Sequence, residues 1–220
     1  MTSFSQKILE YFENNMRLWL DKNFLLSAIL SFSLLYLATI INSMAGILAT
    51  ERASNYVNDI VLSNIPRMDT SFIHGEITGL VRDITLFLLF LTPRYLPFAM
   101  KTMAVLTVVR AGFINMTNIG IYPDSIPINS LATFGGDLFF SGHVATSYLM
   151  SLVFWDRKFL RYFFLSTAII FGISALLGHY HYTIDVFAAP FIAYGVFTVC
   201  SRVFVNDFNM LKTRLFTAQM

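Results

Sequence analysis

The fold class that this sequence predicts is an all-α, polytopic membrane helix bundle with six transmembrane helices and both termini cytoplasmic. Three observations predict it: an apolar composition, six apolar stretches of spanning length, and an uneven placement of Lys and Arg. Of the 220 residues, 56% are hydrophobic and only 13% are Asp, Glu, Lys or Arg, whereas a soluble domain carries about 25% charged residues. Mean hydropathy is +0.63. So few charges could not cover a water-facing surface of this size. The composition therefore excludes an ordinary soluble domain, a disordered chain and a nucleic-acid-binding module with a basic face. The 23 Phe residues suit lipid-facing helices. Cys200 is the single cysteine, so no intrachain disulfide can form.

The elements follow in order. A span needs about 20 mostly apolar residues, and residues 23–50 supply 28 without a single Asp, Glu, Lys or Arg. That run is too long for the apolar core of a signal peptide, about 7–15 residues. Residues 1–22 are thus expected to remain as a cytoplasmic or interfacial segment, with Lys7, Ile8, Tyr11, Phe12 and Trp19 suited to an interfacial helix. After a polar stretch at 51–69, a second span is expected over 71–92, interrupted by Glu76, Arg82 and Asp83. Arg94 and Pro97 mark a turn before a third span, 96–118, which contains Arg110. A loop rich in Gly, Pro and Asp, 119–137, leads to a fourth span, 138–155. Asp156, Arg157, Lys158 and Arg161 separate it from a fifth, 162–178. A sixth, 182–204, carries Asp185 in its first turn. No internal repeat or long linker divides the chain, so residues 23–205 read as one membrane domain and 206–220 as a cytoplasmic tail.

With the N-terminus inside, the cytoplasmic segments hold Lys7, Arg17, Lys22, Arg94, Lys101, Arg157, Lys158, Arg161, Arg202, Lys212 and Arg214, which is 11 of the 15 basic residues. Arg52 and Arg67 fall on the opposite side, and Arg82 and Arg110 lie within spans. This is the positive-inside pattern, and an even number of spans returns the C-terminus to the cytoplasm.

Three places carry chemistry. In Gly135-Gly136-Asp137-Leu138-Phe139-Phe140-Ser141-Gly142-His143, a glycine-containing turn leads into a helix start. Unpaired N–H groups and the positive dipole end there suit a phosphate oxygen, and His143 is placed to protonate a leaving oxygen. The plainer reading is a helix cap beside a satisfied histidine. In His181-Tyr182-Thr183-Ile184-Asp185, His and Asp four apart share a helix face. The carboxylate can fix the imidazole tautomer, or the two form a structural pair. Arg110 in its span needs a carboxylate or an anionic ligand. Asp83 and Glu76, on one stripe of the second span, are available as structural partners. Both histidines, Asp185 and Arg110 map to the outer half of the bundle, which favours a shared site over independent pairs. Two classes besides an enzyme remain open on residue types: a transporter or binding protein whose polar cluster lines a pathway, and a zinc site of His143, His181 and Asp185 completed by His179 or Asp137.

The order Arg110, Ser141-Gly142-His143, His181-x-x-x-Asp185 resembles the lipid phosphate phosphatase/phosphotransferase (type 2 phosphatidic acid phosphatase) superfamily, and within it the sphingomyelin synthase-like branch. That branch has Gly-Asp, then Ser-Gly-His at the spacing of Gly136-Asp137 and Ser141-Gly142-His143. Its last motif, His-Tyr-Thr/Ser-x-Asp, is met at every position by residues 181–185, and its Arg with Thr seven residues on is met by Arg110 and Thr117. The chain departs from it at Gly135, where the branch has Cys, and at Ile119-Gly120, where it has Leu-Pro. The phosphatase branch carries Ser-Arg where this chain has Ser174-Ala175.

The resemblance implies a phospho-headgroup transfer from a phospholipid to a lipid alcohol, without cofactor or metal. His181, oriented by Asp185, would be the nucleophile and His143 the acid and base. Arg110 and the N–H groups near Ser141 and Gly142 would hold phosphoryl oxygens, with Asp137 orienting a headgroup or closing the loop. The alternative is a lipid phosphate phosphatase or phospholipase C-like hydrolase with water as acceptor. The site would lie on the extracytoplasmic (periplasmic or lumenal) face. His179 is expected to flank it, and His74 and Glu76 to be interfacial, with lining the entrance as their alternative.

Overall fold

The computed structural model describes residue 13 and residues 15–123, 125 and 137–212. The expected interfacial residues Lys7, Ile8, Tyr11 and Phe12, the Gly135-Gly136 turn, most of the loop before it, and Arg214 lie outside them. The regular elements among the described residues are all helices, with no strand.

Helix α1, Lys22–Glu51, starts where the Asp21 carboxylate accepts hydrogen bonds from the N–H groups of Asn23 (2.7 Å) and Phe24 (3.4 Å), which caps two of its open donors. Its buried residues are Phe24, Ala28, Ser31, Ala38, Ala45, Gly46 and Ala49, and all but Gly46 recur at three, four or seven positions. They form one narrow stripe of mostly small side chains, while Leu26, Ile29, Tyr36, Leu37 and Met44 stay exposed. That asymmetry is what a helix between lipid and bundle requires. The stripe lies along α3, Leu96–Met116, where Ala45 and Ala49 meet Ala111 and Ile114.

Residues 71–91 are helical without a break: a π-helical turn, Ile73–Ile77, runs into α2, Thr78–Leu91. After α3 come α4, Gly142–Val153, α5, Lys158–Leu177, α6, Thr183–Val203, and α7, Val205–Lys212. Among the described residues, four helical segments are long and apolar enough to cross a membrane: Lys22–Glu51, Pro93–Met116, Lys158–Leu177 and Thr183–Val203. The expected second span is helical over 71–91 but carries Glu76, Arg82 and Asp83, and the expected fourth span is shorter as a helix. At 12 residues, α4 extends about 18 Å against a hydrocarbon thickness of about 30 Å. Ser147, Leu149, Met150, Ser151, Leu152 and Val153 are buried round its circumference, so α4 is enclosed by the neighbouring helices.

Around α4 the core is aromatic. Phe98, Phe140, Phe154, Phe164 and Phe171 are all buried, with Phe154 and Phe164 stacked at 5.6 Å. At the end holding the C-termini of α2 and α4 and the N-termini of α3 and α5, polar ties close the bundle. Arg94 and Tyr95 both bind Asp156. Lys101 Nζ donates to Asp207 Oδ2 (2.6 Å) and to Ser27 Oγ (2.8 Å), and both ionic side chains are buried. Residues 206–212, read from sequence within a tail, are thereby part of a helix fixed to the bundle. Its single buried carboxylate has a buried ammonium to meet, and breaking such a pair from one side is costly.

Candidate active site

The opposite end collects the C-terminal part of α3, the start of α4, the end of α5, the start of α6 and the π-helical turn. Helix α5 ends in a Schellman motif: Tyr180 N–H donates to the Ala175 carbonyl (2.9 Å) and His179 N–H to that of Leu176 (3.1 Å). The left-handed residue of this motif, normally glycine, is His179 at φ 55°. The reversal folds the Tyr180 ring back over Gly178, where a Cβ would lie 2.3 Å from that ring. It also delivers His181 to the start of α6. His179 itself is buried with its ring 5.3 Å from that of Tyr122, at the edge of the site.

At the start of α6, His181 Nδ1 lies 3.5 Å from Asp185 Oδ2. The same oxygen accepts from the Tyr182 N–H (2.9 Å), closing the first turn. Asp185 is fully buried, so its carboxylate is held in one orientation behind the imidazole. Nε2 of His181 is then the nitrogen left for chemistry. One backbone bond ties the two histidine motifs together, from Ser141 N–H to the Asp185 carbonyl (3.1 Å). The Ser141 amide is thereby spent in the fold. What Ser141 still offers is its buried hydroxyl, which has no hydrogen-bond partner, next to the open amides of the first turn of α4.

Arg110 reaches the same place from α3. Its Nε donates to the Phe140 carbonyl (2.9 Å), one terminal nitrogen to the Asp137 carbonyl (3.1 Å), and the other lies 2.6 Å from Asp137 Oδ1. The carboxylate that meets Arg110 is therefore Asp137, not Asp83 or Glu76. Asp83 pairs with its neighbour Arg82 on an exposed face (2.9 Å), and Glu76 is exposed. Three apolar residues separate Asp137 from Ser141, and this short run wraps the guanidinium. Gly142 is what makes room, because a Cβ there would sit 3.2 Å from Arg110 Nε. Thr117 bonds back to the Phe113 carbonyl (3.2 Å) at the end of α3 and takes no part in this cluster.

His74 was expected at the interface. The structure places it in the middle of the site, buried, with its ring 4.4 Å from that of His143, 6.3 Å from that of His181 and 4.7 Å from that of Tyr180. Composition could not show this, because a lone His near a predicted span end has no periodic partner. Among the described residues, no three His, Cys, Asp or Glu side chains form a group able to hold a metal ion.

Asp59 is the other residue without a sequence signal. It accepts from the Thr183 N–H and hydroxyl (2.7 Å each), while Tyr182 OH donates to the Gly120 carbonyl (2.8 Å) and accepts from Val57 N–H (3.2 Å). Tyr182 and Thr183 thus fasten two loops over the start of α6. Burial tends to raise the Asp59 carboxyl, but hydrogen bonds from Thr183, Leu62 and Val61 outweigh it and hold the group below its usual value. The anchorage is therefore full above the unfolded carboxyl value of about 4 and is lost as pH falls through the lower folded value. Proteolysis within residues 52–69 should accelerate only in that acid window for the wild type. Asp59→Ala should open the same segment to trypsin at neutral pH, and equal cleavage of the two at neutral pH would contradict this anchorage.

An all-helical bundle with four helices of spanning length and composition supports an integral membrane protein. Residues 135–202, which contain α4, α5 and nearly all of α6, match the family model described as PAP2 superfamily C-terminal. That match supports the superfamily and, with it, phosphatase or phosphotransferase chemistry. Comparison with curated proteins finds no match.

Proposed function

We propose that this protein is a membrane lipid phosphotransferase of the sphingomyelin synthase-like branch of that superfamily, acting through a phosphohistidine on the extracytoplasmic side of a six-span bundle. The observation that carries the reading is the convergence of His143 and His181 on one buried ring, His74, with Asp185 behind the second of them. Arg110 stands beside Gly142 at the head of the same helix as His143. Ala175, where the phosphatase branch has arginine, favours the transferase.

In the first step His181 Nε2 bonds to phosphorus as the P–O bond to the glycerolipid breaks. The bonding pair leaves with the alcohol oxygen, and His143 supplies its proton. In the second step a lipid hydroxyl bonds to phosphorus and gives its proton to His143, while the P–N pair returns to His181. Protons balance over the cycle. Arg110 and the open amides and hydroxyl at the head of α4 steady the phosphoryl oxygens, with Asp137 setting the position of Arg110.

The test is incubation of purified protein with headgroup-labelled phospholipids, with and without ceramide, followed by mass spectrometry of the lipids. Diacylglycerol together with a new phospholipid bearing the label is the expected result. Free phosphate from phosphatidic acid without a lipid product would assign a hydrolase instead. Turnover no higher than that of His143→Ala would remove the enzymatic reading.

A further inference from the structure

We propose that His74 is a positioning residue for His143, doing for the acid and base what Asp185 does for the nucleophile; this rests on the reading above. The two site histidines are supported unequally. Nδ1 of His181 makes no hydrogen bond, but it faces a buried carboxylate oxygen 3.5 Å away. Nδ1 of His143 is buried without a hydrogen-bond partner, and its ring packs edge to face at 4.4 Å against that of His74, whose own Nδ1 is also buried and without a partner. In such a contact the edge of one imidazole is directed at the other, so a small ring rotation lets one nitrogen donate to its neighbour.

Several features converge on placing this ring. His74 stands on the π-helical turn Ile73–Ile77, a local form that recurs at functional positions. Its other side is covered by Tyr180 at 4.7 Å, and Tyr180 can fold there only because residue 178 has no Cβ. The turn is fixed to α5 through Thr70, whose hydroxyl donates to the Ser174 carbonyl (2.7 Å) and whose carbonyl accepts from His74 N–H (3.0 Å). The ring is thus clamped between Tyr180 and His143 and has little freedom to serve elsewhere.

The chemistry gives a reason for an imidazole at this place. A carboxylate on His143 would hold its proton tightly and make it a poor acid toward a departing alkoxide. A neutral imidazole accepts a hydrogen bond from His143 and fixes its tautomer and ring plane without that penalty. His181 has the opposite need, a nucleophile made more electron-rich, and it has the carboxylate.

The test compares two donors that share a phospho-headgroup. One is the natural type, whose glyceride alcohol must be protonated as it leaves; the other is a nitrophenyl ester, whose phenolate leaves without a proton. The first-turnover burst of nitrophenolate reports attack and departure alone. General acid–base help is worth about 10²–10⁴-fold. His74→Phe should therefore lower kcat on the lipid donor by roughly 10-fold or more, with KM little changed and the nitrophenolate burst near the wild-type rate. His74→Asn, which keeps an acceptor near the Nδ1 position, should restore most of kcat.

An equal loss on both donors, a change in KM alone, or wild-type kcat in His74→Phe would overturn the proposal. Melting curves in detergent accompany each variant, and His74→Ala carries the same two-donor comparison if His74→Phe does not fold. Should His143→Ala and His181→Ala both keep wild-type turnover, it is the phosphotransfer reading that falls. If both abolish it while His74→Phe stays at wild type, only the role of His74 falls.

Discussion

His181→Ala is expected to reduce headgroup transfer to background, a loss of about 10⁴-fold or more, and to leave no phosphate attached to the protein. The argument is geometric. Asp185 is fully buried, and its Oδ2 accepts from the Tyr182 amide and lies 3.5 Å from His181 Nδ1. The imidazole can therefore present only Nε2 to a phosphorus atom. Asp185→Asn leaves the α6 cap with an acceptor but removes the charge that fixes the tautomer, and it should cost about 10³-fold. The measurement is single-turnover quenching with donor labelled in the phosphate. Wild type should yield acid-labile, base-stable protein-bound label within the first turnover, Asp185→Asn should yield it slowly, and His181→Ala should yield none. Label retained by His181→Ala would show a different nucleophile and sink the assignment.

What the sequence disclosed and what it hid divide along a physical line. Charge-free length at 23–50 and at the later spans was legible because bilayer insertion is a matter of consecutive apolar residues. The His181–Asp185 pair was legible because helix periodicity puts positions four apart on one face. The length of α4 was not legible: an apolar run at 138–155 reads the same whether it faces lipid or is enclosed by other helices. The carboxylate that meets Arg110 is not legible from spacing: Asp83 and Glu76 offer helical spacing, whereas Asp137 reaches the guanidinium through an irregular turn with no periodic signature. Gly178 reads as the end of α5, yet the left-handed position falls one residue later on His179. Gly178 instead clears space for Tyr180. His74 and Asp59 owe their places to loop and π-turn geometry, and periodicity is silent about both.

Arg110→Lys is expected to lower kcat/KM by about 100-fold, because the guanidinium acts as a rigid fork and an ammonium cannot replace it. Nε holds the Phe140 carbonyl, one terminal nitrogen holds the Asp137 carbonyl, and the other meets the Asp137 carboxylate. The two carbonyls fix the short run before Ser141, and with it the direction in which α4 presents His143. A lysine can satisfy only part of this set, and the Nε contact beside Gly142 would be lost. Asp137→Asn keeps both backbone carbonyls and so separates the carboxylate pair from phosphate binding. If pairing with the Asp137 carboxylate were all that Arg110 contributes, this variant would be as damaged as Arg110→Lys. If the terminal nitrogen is destined for a phosphoryl oxygen, removing the competing carboxylate charge frees it, and kcat/KM should stay within about 10-fold of wild type. The expected order is therefore wild type, then Asp137→Asn, then Arg110→Lys, with both variants melting as folded protein. Equal losses in the two variants would reduce Arg110 to the cation of a structural pair.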